Sequence, residues 1–529
     1  MESEQTEEDK IVSRNPATLE VNAEIDVTSK EGVESAVEKA HSSQKEWADR
    51  SLSERLRVLE RFQELILERK DEIAKTVSRE TGKPVEEAIS VDIFPVIDAV
   101  EFLSDEGPDI LEYDLSLKNL LLVGRKSKIT REPLGVIGII TPWNYPFGIP
   151  GSQVVYALFA GNSVVLKPAE ETTLTGLRLK ELLEEAGLPP EVLQVVTGPG
   201  RPTGDALVNS DIDYMLFTGS ADVGFSIRSQ CAPRGIPTCL ELGGSDPALV
   251  LEDANLDLTT DGIVWARFTN CGQTCSAVKR VYVVESIASK LMDEIVSKTR
   301  ELRVGNTFES HVDVGPLISE EAVDRIDSMV QESVEMGATP LTGGERIDEL
   351  DGSFYKPTIL TDVTHEMPVI QEETFGPVLP IIEVEDEEEA IEMANDTPYG
   401  LTASVWTRDE KHGEKIARSL DAGTVSVNDH AYTYGINSTP WGGHNRSGER
   451  LTHGTWGLEE LTTLKHIHVT KGDTFPKSTR TKNLWWFPYP HDQHEVMREG
   501  MEYLYGGGLR KKIRKTPYMI RKLLGKEGL

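Results

Sequence analysis

The chain is poor in cysteine and has no long apolar segment. Four cysteines occur among 529 residues, which is too few for a disulfide framework in a chain of this length. An uninterrupted run of about 18 apolar residues, the length needed to span a bilayer, does not occur. The first residues, MESEQTEEDK, lack the basic and apolar regions of a secretory signal. We therefore expect reduced thiols and a cytoplasmic location.

Positive charge is also scarce. Against 89 Asp and Glu stand 55 Lys and Arg, a net charge of −34. Such a surface repels phosphate backbones, so nucleic acid is not an expected partner. A hydrophobic content of 38% argues against a disordered acidic protein. We interpret the excess charge as the solvated acidic coat of a soluble, halophilic protein.

The C-terminal extension, residues 471–529, differs from the rest of the chain. It contains 13 Lys and Arg and 6 Asp and Glu, and its segment GLRKKIRKTPYMIRKLLGK (508–526) mixes bases with apolar residues. One interpretation is peripheral membrane or partner binding. The other is a contact with the acidic body of the chain or with a neighbouring subunit. The sequence leaves both open.

Hydrophobic patterning predicts an α/β fold. Residues 32–105 have mostly helical spacing. Short apolar runs then alternate with helical stretches such as 177–187 and, in a second series from about 245 to 440, 321–338. This alternation is typical of parallel sheets covered by helices. The predicted strands are GVIGII (135–140), SVVLKP (163–168), VLQVVTG (192–198), YMLFTG (214–219), KRVYVVE (279–285) and GTVSVN (423–428).

The segment FTNCGQTCSA (268–277) holds two of the four cysteines, Cys271 and Cys275. A structural zinc site needs about four ligands, and this spacing with no neighbouring His does not supply them, so we expect no metal. The polar, Gly-containing turn before Cys275 is suited to presenting a nucleophile. A loop cysteine is more often an inert core residue, so other segments must decide whether Cys275 is a nucleophile.

Two further segments carry groups that a nucleophile needs. Glu241 stands beside Gly243 and Gly244 in LELGGSDP, where a mobile backbone suits a general base. Asn144 in PWNYP follows a predicted strand, where its amide could stabilise an oxyanion. Taken alone, Glu241 is as easily an acid at the end of a strand, and Asn144 is as easily a turn residue.

Three segments have features of a cofactor site. Lys167 lies at the end of the strand SVVLKP and Glu170 follows it, and the two are suited to a ribose or phosphate. Gly200 lies in GPGRPTG (198–204), whose spacing differs from the dinucleotide fingerprint and is weak evidence. Gly219 and Ser220 in FTGSADVG (217–224) open a predicted helix whose N–H groups could hold a pyrophosphate.

Taken together and in order, these segments resemble the aldehyde dehydrogenase superfamily over roughly residues 10–470. The wording LELGGSDP, with Ser245 where many members have Lys, is similar to branches that include succinate-semialdehyde dehydrogenases. The motifs that carry the resemblance are PWNYP, LKPAE, GPGRPTG, FTGS, LELGG, FTNCGQTC, EETFGPV (372–378) and PWGGHNRSG (440–448).

The resemblance implies an aldehyde dehydrogenase-like fold with three parts and a C-terminal extension. A Rossmann-type dinucleotide-binding domain would comprise 1–112 and 134–244, and an α/β catalytic domain 245–445. A small β oligomerisation element would comprise 113–133 and 446–470, followed by the basic extension 471–529. Such an element implies a homodimer or homotetramer.

The resemblance also implies roles for individual residues. Cys275 matches the nucleophile that forms a thiohemiacetal and thioester, Glu241 the base that activates water, and Asn144 the oxyanion-binding amide. Cys271 matches a variable position and is expected to line the substrate passage. The positions that match cofactor contacts are Trp143, Lys167, Glu170, Gly200, Gly219, Ser220, Glu373 and Phe375.

The implied activity is NAD(P)-dependent oxidation of an aldehyde to a carboxylic acid. Glu170 would repel a 2′-phosphate, which favours NAD, with NADP as the alternative. FGIPGSQVVYA (147–157) and AYTYGINSTP (431–440) contain no cation, so we expect neutral or apolar aldehydes, and succinate semialdehyde is the alternative. A CoA-acylating enzyme or a cofactor-free hydrolase is less consistent with Glu241 and the cofactor segments. A non-catalytic scaffold of the same fold is the alternative of another class, although Cys275 and Glu241 are both present.

Overall fold

A computed structural model describes residues 10–115, 125–309, 311–470, 487, 489, 491, 493–508 and 513–518. The chain divides into two compact units, one of Met1–Pro108 and Pro133–Thr463 and one of Asp109–Glu132 and Leu464–Leu529. Most of the acidic N-terminal segment and of the basic extension lies outside the described residues. Within the described part of the chain, no helix is both long and apolar enough to cross a membrane.

The strands of the described chain form four separate sheets. They are β1 Lys10–Arg14, β2 Val21–Asp26, β3 Glu112–Leu115, β4 Arg125–Pro133, β5 Val136–Ile140, β6 Ser163–Lys167, β7 Leu193–Val195, β8 Tyr214–Gly219, β9 Thr238–Leu242, β10 Asp246–Val250, β11 Val278–Val284, β12 Thr339–Thr342, β13 Thr358–Thr361, β14 Val378–Val384, β15 Thr402–Trp406, β16 Thr424–Val427, β17 Gly448–Glu449 and β18 Thr462–Thr470.

Helices separate most of these strands. They are α1 Lys30–Asp49, α2 Leu52–Thr81, α3 Val85–Glu87, α4 Phe94–Asp105, α5 Gly107–Leu111, α6 Gly148–Phe159, α7 Thr173–Glu185, α8 Asp205–Val208, α9 Ala221–Cys231, α10 Leu256–Phe268, α11 Glu285–Glu301, α12 Glu320–Glu335, α13 Pro368–Gln371, α14 Glu387–Asn395, α15 Glu410–Ala417, α16 Gly454–Glu460 and α17 Gln493–Tyr505, with π-helical turns at Ala88–Ile93 and Gly200–Gly204 and 3₁₀ turns at Ala232–Arg234, Thr269–Gly272, Tyr432–Gly435 and Asn445–Ser447.

A six-stranded sheet has the order β17-β9-β8-β5-β6-β7. The four apolar runs predicted between 135 and 219 are β5, β6, β7 and β8, and all pair in parallel. Their side chains are almost all buried, as expected for strands covered on both faces by helices. The α/β prediction is confirmed for this sheet.

The position of β5 in this sheet explains why several polar segments meet. The chain order reverses at β5, which lies between β6 and β8, and such a reversal opens a crevice at the carboxyl ends of the strands. PWNYP follows β5, Gly219 ends β8, and Glu241 lies on β9 opposite Thr218 of β8. Side chains far apart in sequence therefore converge at one edge.

A seven-stranded sheet has the order β12-β13-β14-β11-β10-β15-β16. The chain runs from the carboxyl end of β9 directly into the amino end of β10. The segment with Cys275 precedes β11, and the segment with Glu373 precedes β14, the neighbour of β11. The amino ends of this sheet therefore bring the two segments together.

The predicted helices begin and end close to the expected residues. The stretch predicted at 177–187 is α7, which ends at Glu185. Gly187, just beyond that end, has φ +100°, a conformation that glycine adopts without strain. The stretch predicted at 321–338 is α12, with Ser319 accepting a hydrogen bond from the backbone N–H of Ala322. In α2, Ser51 and Glu54 form a capping box, which satisfies N–H groups of its first turn.

The segments predicted to form an oligomerisation element contribute a separate three-stranded sheet, β18-β4-β3. Several large apolar side chains on its strands are exposed. They are Tyr113, Leu115, Leu464, Ile467 and Val469.

The expectation that Cys271 lines the substrate passage is wrong. Its side chain is 1% exposed and belongs to the hydrophobic core of the seven-stranded sheet. Cys271 has φ +54°, so the turn directs its side chain into this core rather than toward the cleft beside Cys275.

Cys271→Ala should therefore lower the free energy of unfolding, by about 1 kcal/mol, because a buried thiol is removed from a packed core. The ratio of kcat/KM values for a short and a long substrate should not change. Denaturant unfolding and steady-state kinetics measure the two quantities. A changed ratio at unchanged stability would contradict this placement.

Candidate active site

The turn before Cys275 is held in an uncommon conformation. Asn270, Cys271 and Gly272 have φ values of +50°, +54° and +74°, and left-handed backbone is costly for the two residues that carry a side chain. The backbone N–H of Asn270 donates to Oε2 of Glu87 at 2.8 Å. The Asn270 side-chain amide donates to the backbone carbonyl of Asn144 at 3.0 Å. These bonds fix the turn against the segment after β5.

The guanidinium of Arg267 holds the turn from the other side. This side chain is completely buried and donates to the carbonyls of Gly272 and Val278 at 2.9 and 3.0 Å. It also donates to the carbonyls of Thr374 at 3.1 Å and of Gly376. Arg267 therefore links the Cys275 segment to the segment of Glu373 and Phe375.

A buried ion pair positions Asn144. Lys83 and Asp92 are both fully buried and lie 2.7 Å apart, and the Lys83 ammonium also donates to the Asn144 carbonyl at 2.6 Å. The other oxygen of Asp92 accepts from the N–H groups of Phe147 and Gly148 at 3.1 Å each. A carboxylate at the start of α6 is favoured by the helix dipole.

The amide of Asn144 has one donor already engaged. Its Nδ2 donates to the carbonyl of Gln273 at 3.0 Å, whereas Oδ1 has no partner among the described residues. Because an amide nitrogen carries two hydrogens, one remains free to donate into the cleft that Asn144 and Cys275 both line.

Cys275 is partly buried, and burial raises the pKa of its thiol to about 12, opposed by the positive charge of Lys279. The Lys279 ammonium is buried and donates to the carbonyls of Thr274 and Cys275 at 2.9 and 2.6 Å. It also lies 3.8 Å from a carboxylate oxygen of Glu373. One cation therefore contacts both the segment of the candidate nucleophile and a candidate cofactor ligand.

Glu241 is 5% exposed, and burial raises the pKa of its carboxyl group. Its Oε2 accepts from Thr218 at 3.0 Å and from Gln153 at 3.3 Å. Its Oε1 accepts a short hydrogen bond from the Thr452 hydroxyl. These three donors fix the carboxylate and favour its ionised form.

Two cavities meet at Cys275 and Glu241, because both residues line both cavities. The first has a volume of about 60 Å³, and Glu241 is the only charged residue among the described residues that line it. The rings that line this aromatic cavity are Phe94, Tyr145, Trp265, Tyr432, Tyr434 and Trp441. The second is a polar cleft of about 440 Å³, and its lining includes several predicted cofactor contacts.

The polar cleft brings together five of the eight predicted cofactor residues. Trp143, Gly219, Ser220, Glu373 and Phe375 all line it, and the rings of Trp143 and Phe375 pack edge to face at 5.6 Å. Lys167, Glu170 and Gly200 do not line it. Lys167 ends β6, Glu170 follows β6 and Gly200 follows β7, and these are the next strands of the same sheet.

The residues of the polar cleft fit a dinucleotide. A Cβ on Gly243 would lie 1.9 Å from the Glu373 carboxylate, so glycine at this position makes room for a ribose-binding acid. Ser220 is the N-cap of α9, and its side chain makes no capping bond within the described chain. First-turn N–H groups of this helix are thus available to a pyrophosphate.

Sequence reasoning missed the residues that brace these groups. Lys83, Asp92 and Thr452 lie far along the chain from the motifs that they contact, whereas Arg267 and Lys279 flank the segment FTNCGQTCSA (268–277). Their signal in one sequence is weak, since a charged residue is ordinarily exposed.

Comparison with known proteins agrees with this geometry. A family model described as the aldehyde dehydrogenase family matches residues 2–467. The chain is 38% identical to a putative NADP⁺ succinate-semialdehyde dehydrogenase of Mycolicibacterium smegmatis, over 84% of this chain and 86% of the relative. It is also 38% identical to a betaine aldehyde dehydrogenase of Bacillus subtilis, over 84% and 88%.

Solved structures give the same result. An aldehyde dehydrogenase of Bacillus cereus in complex with NAD⁺ superposes with a TM-score of 0.83 at 34% identity, covering 87% of this chain and 93% of that one. The family model, the relatives and the solved structure each match more than four fifths of the chain. The chain belongs to the aldehyde dehydrogenase family.

Proposed function

We propose that this chain oxidises neutral or apolar aldehydes to carboxylic acids with NAD(P)⁺, with Cys275 as the nucleophile and Glu241 as the base. The observation that supports this most is the meeting of the aromatic cavity and the polar cleft at these two residues. An aldehyde entering through the first cavity would reach the thiol beside the cofactor site.

The first step is attack of the Cys275 thiolate on the aldehyde carbon. Burial disfavours the thiolate and the Lys279 charge favours it, so the nucleophile becomes reactive only in a small fraction of molecules near neutral pH. The free amide hydrogen of Asn144 and the backbone N–H of Cys275 would stabilise the oxyanion. A nicotinamide bound in the polar cleft would supply the hydride acceptor needed to convert the thiohemiacetal on Cys275 to a thioester.

The second step is hydrolysis of that thioester. Glu241 would take a proton from the attacking water, and its raised pKa makes it a stronger base than an exposed carboxylate. Trp143 and Phe375 would contact the nicotinamide side of the cofactor, and Glu373 its ribose. Lys167, Glu170 and Gly200 would hold the adenosine half, where the charge of Glu170 favours NAD over NADP.

The aromatic cavity supports a neutral substrate class. A carboxylate buried there would have no cationic partner among the described lining residues, and an unpaired buried charge is strongly unfavourable. Succinate semialdehyde, the substrate that the name of one relative indicates, is therefore the second candidate.

We also propose that the three-stranded sheet mediates formation of a homodimer or homotetramer, because its exposed apolar side chains are of the kind that subunit interfaces bury. The net charge of −34 suits a protein that works at high salt. The basic extension would contact an acidic neighbouring subunit or a membrane surface.

The substrate proposal is tested by following reduced-nicotinamide absorbance across an aldehyde panel. Hexanal should give a kcat/KM at least about tenfold above that of succinate semialdehyde, because only the latter must bury a carboxylate. Cys275→Ala should give no signal with any aldehyde. A preference for succinate semialdehyde would contradict the substrate class, and a fully active Cys275→Ala would contradict the nucleophile.

Glu241→Gln tests the division into two chemical steps. Reduced nicotinamide should still form in a rapid burst of about one equivalent per active site, because the amide leaves thiolate attack intact. Steady-state turnover should then fall roughly 100-fold or more, since general base catalysis is lost. Stopped-flow absorbance separates the two phases, and wild-type turnover in this variant would exclude Glu241 as the base.

A further inference from the structure

Glu241 takes up one proton in each proposed turnover and must lose it before the next. On the reacting side it faces the aromatic cavity and the polar cleft, which substrate and cofactor fill. A route on its opposite side would release the proton without requiring either to leave.

The structure contains a polar contact chain on that opposite side. The Thr452 hydroxyl donates to Glu241 Oε1, and the same oxygen lies 2.9 Å from Nδ1 of His453. Because the single hydroxyl hydrogen of Thr452 goes to Glu241, the imidazole N–H must be the donor in the second contact. Nε2 of His453 is then left as an acceptor.

Behind these residues lies a third cavity, of about 20 Å³, lined by Ser152, Gln153, Thr452, His453 and Glu460 among others. Four of its lining residues carry a buried polar atom that has no hydrogen-bond partner among the described residues, namely Ser152 Oγ, Gln153 Oε1, Tyr214 Oη and His453 Nε2. A cavity of this volume holds about one water molecule, and buried waters typically make about three hydrogen bonds to such groups.

The residues that line this cavity include partners of Glu241 and a partly exposed carboxylate. Thr452 and Gln153 line it and both donate to the Glu241 carboxylate. Glu460 also lines it and forms an ion pair with Arg450, and the Glu460 side chain is 29% exposed. The space thus connects partners of the proposed base with a carboxylate that reaches solvent.

We propose that this cavity holds water and is the proton exit of Glu241, with Thr452 as the relay and His453 as a positioning residue. Protonated Glu241 gives its proton to the Thr452 oxygen while Thr452 gives its hydroxyl hydrogen to the water. The water passes its extra proton to Glu460 and then to solvent. Thr452, now carrying the hydrogen from Glu241, donates again to the ionised carboxylate, which is the contact found in the structure.

The surroundings of His453 suit a positioning role. Burial lowers the pKa of its imidazole to about 3, so the ring stays neutral and keeps one donor and one acceptor nitrogen. Its ring packs against Tyr434 at 4.8 Å and Tyr156 at 6.3 Å. The ring is thereby held with Nδ1 toward Thr452 and Nε2 toward the cavity.

This inference rests on the proposed role of Glu241, and the decay of the acyl-enzyme tests both separately. p-Nitrophenyl acetate would acylate Cys275 without cofactor, so that the nitrophenol burst would report acylation and the later steady rate would report hydrolysis. Thr452→Val should keep the burst and slow hydrolysis roughly tenfold or more. Thr452→Ser, which retains the hydroxyl, should remain within about threefold of the wild type.

Two further variants distinguish a relay from simple loss of a hydrogen bond to Glu241. His453→Leu and Glu460→Gln make no direct change to that carboxylate, and each should slow hydrolysis and increase its solvent deuterium isotope effect. His412→Leu, which changes a histidine on α15 paired with Glu387, is the matched control. Unfolding curves show that each variant is folded.

The outcomes separate the two proposals. If Glu241→Gln hydrolyses the acyl-enzyme at the wild-type rate, Glu241 is excluded as the base, and the proposed proton exit is excluded with it. If Glu241→Gln is slow while folded His453→Leu and Glu460→Gln match the wild type, only the exit is overturned. Equal slowing in Thr452→Val and Thr452→Ser would likewise contradict the relay.

Discussion

The buried guanidinium of Arg267 joins the two segments on which the active site depends. Its bonds to the carbonyls of Gly272 and Gly376 hold the turn before Cys275 against the segment that carries Glu373 and Phe375. Backbone carbonyls at such a junction would otherwise be buried without donors, at a cost of about 1–3 kcal/mol each. One side chain therefore fixes the distance between the candidate nucleophile and the cofactor cleft.

Burial then sets the reactivity of the groups that Arg267 brings together. Desolvation raises the pKa of both the Cys275 thiol and the Glu241 carboxyl. The raised pKa disfavours the thiolate form of Cys275 and makes the Glu241 carboxylate a stronger base. Lys279 opposes the effect at the thiol, and three side-chain donors oppose it at the carboxylate. The site thus combines an aromatic cavity with a few fixed polar contacts.

Much of this arrangement follows from sequence. The apolar runs at 135–140 and 214–219 are central parallel strands, and Cys275, Glu241 and Asn144 converge as the motif resemblance implies. The bracing contacts do not follow, because pairs such as Lys83 with Asp92 or Glu241 with Thr452 form only once the strands are paired. Cys271 was misplaced for a related reason. A left-handed turn reverses the direction of the side chain, and periodicity carries no signal of that.

In the proposed reaction, the acyl group of the aldehyde is held by Cys275 and released by Glu241. The most direct test is mass spectrometry of Glu241→Gln quenched in acid after mixing with NAD⁺ and hexanal. We predict a mass increase of one hexanoyl group, located by peptide mapping on the peptide that contains Cys275. An acyl group on any other residue, or an unmodified protein despite formation of reduced nicotinamide, would contradict the account.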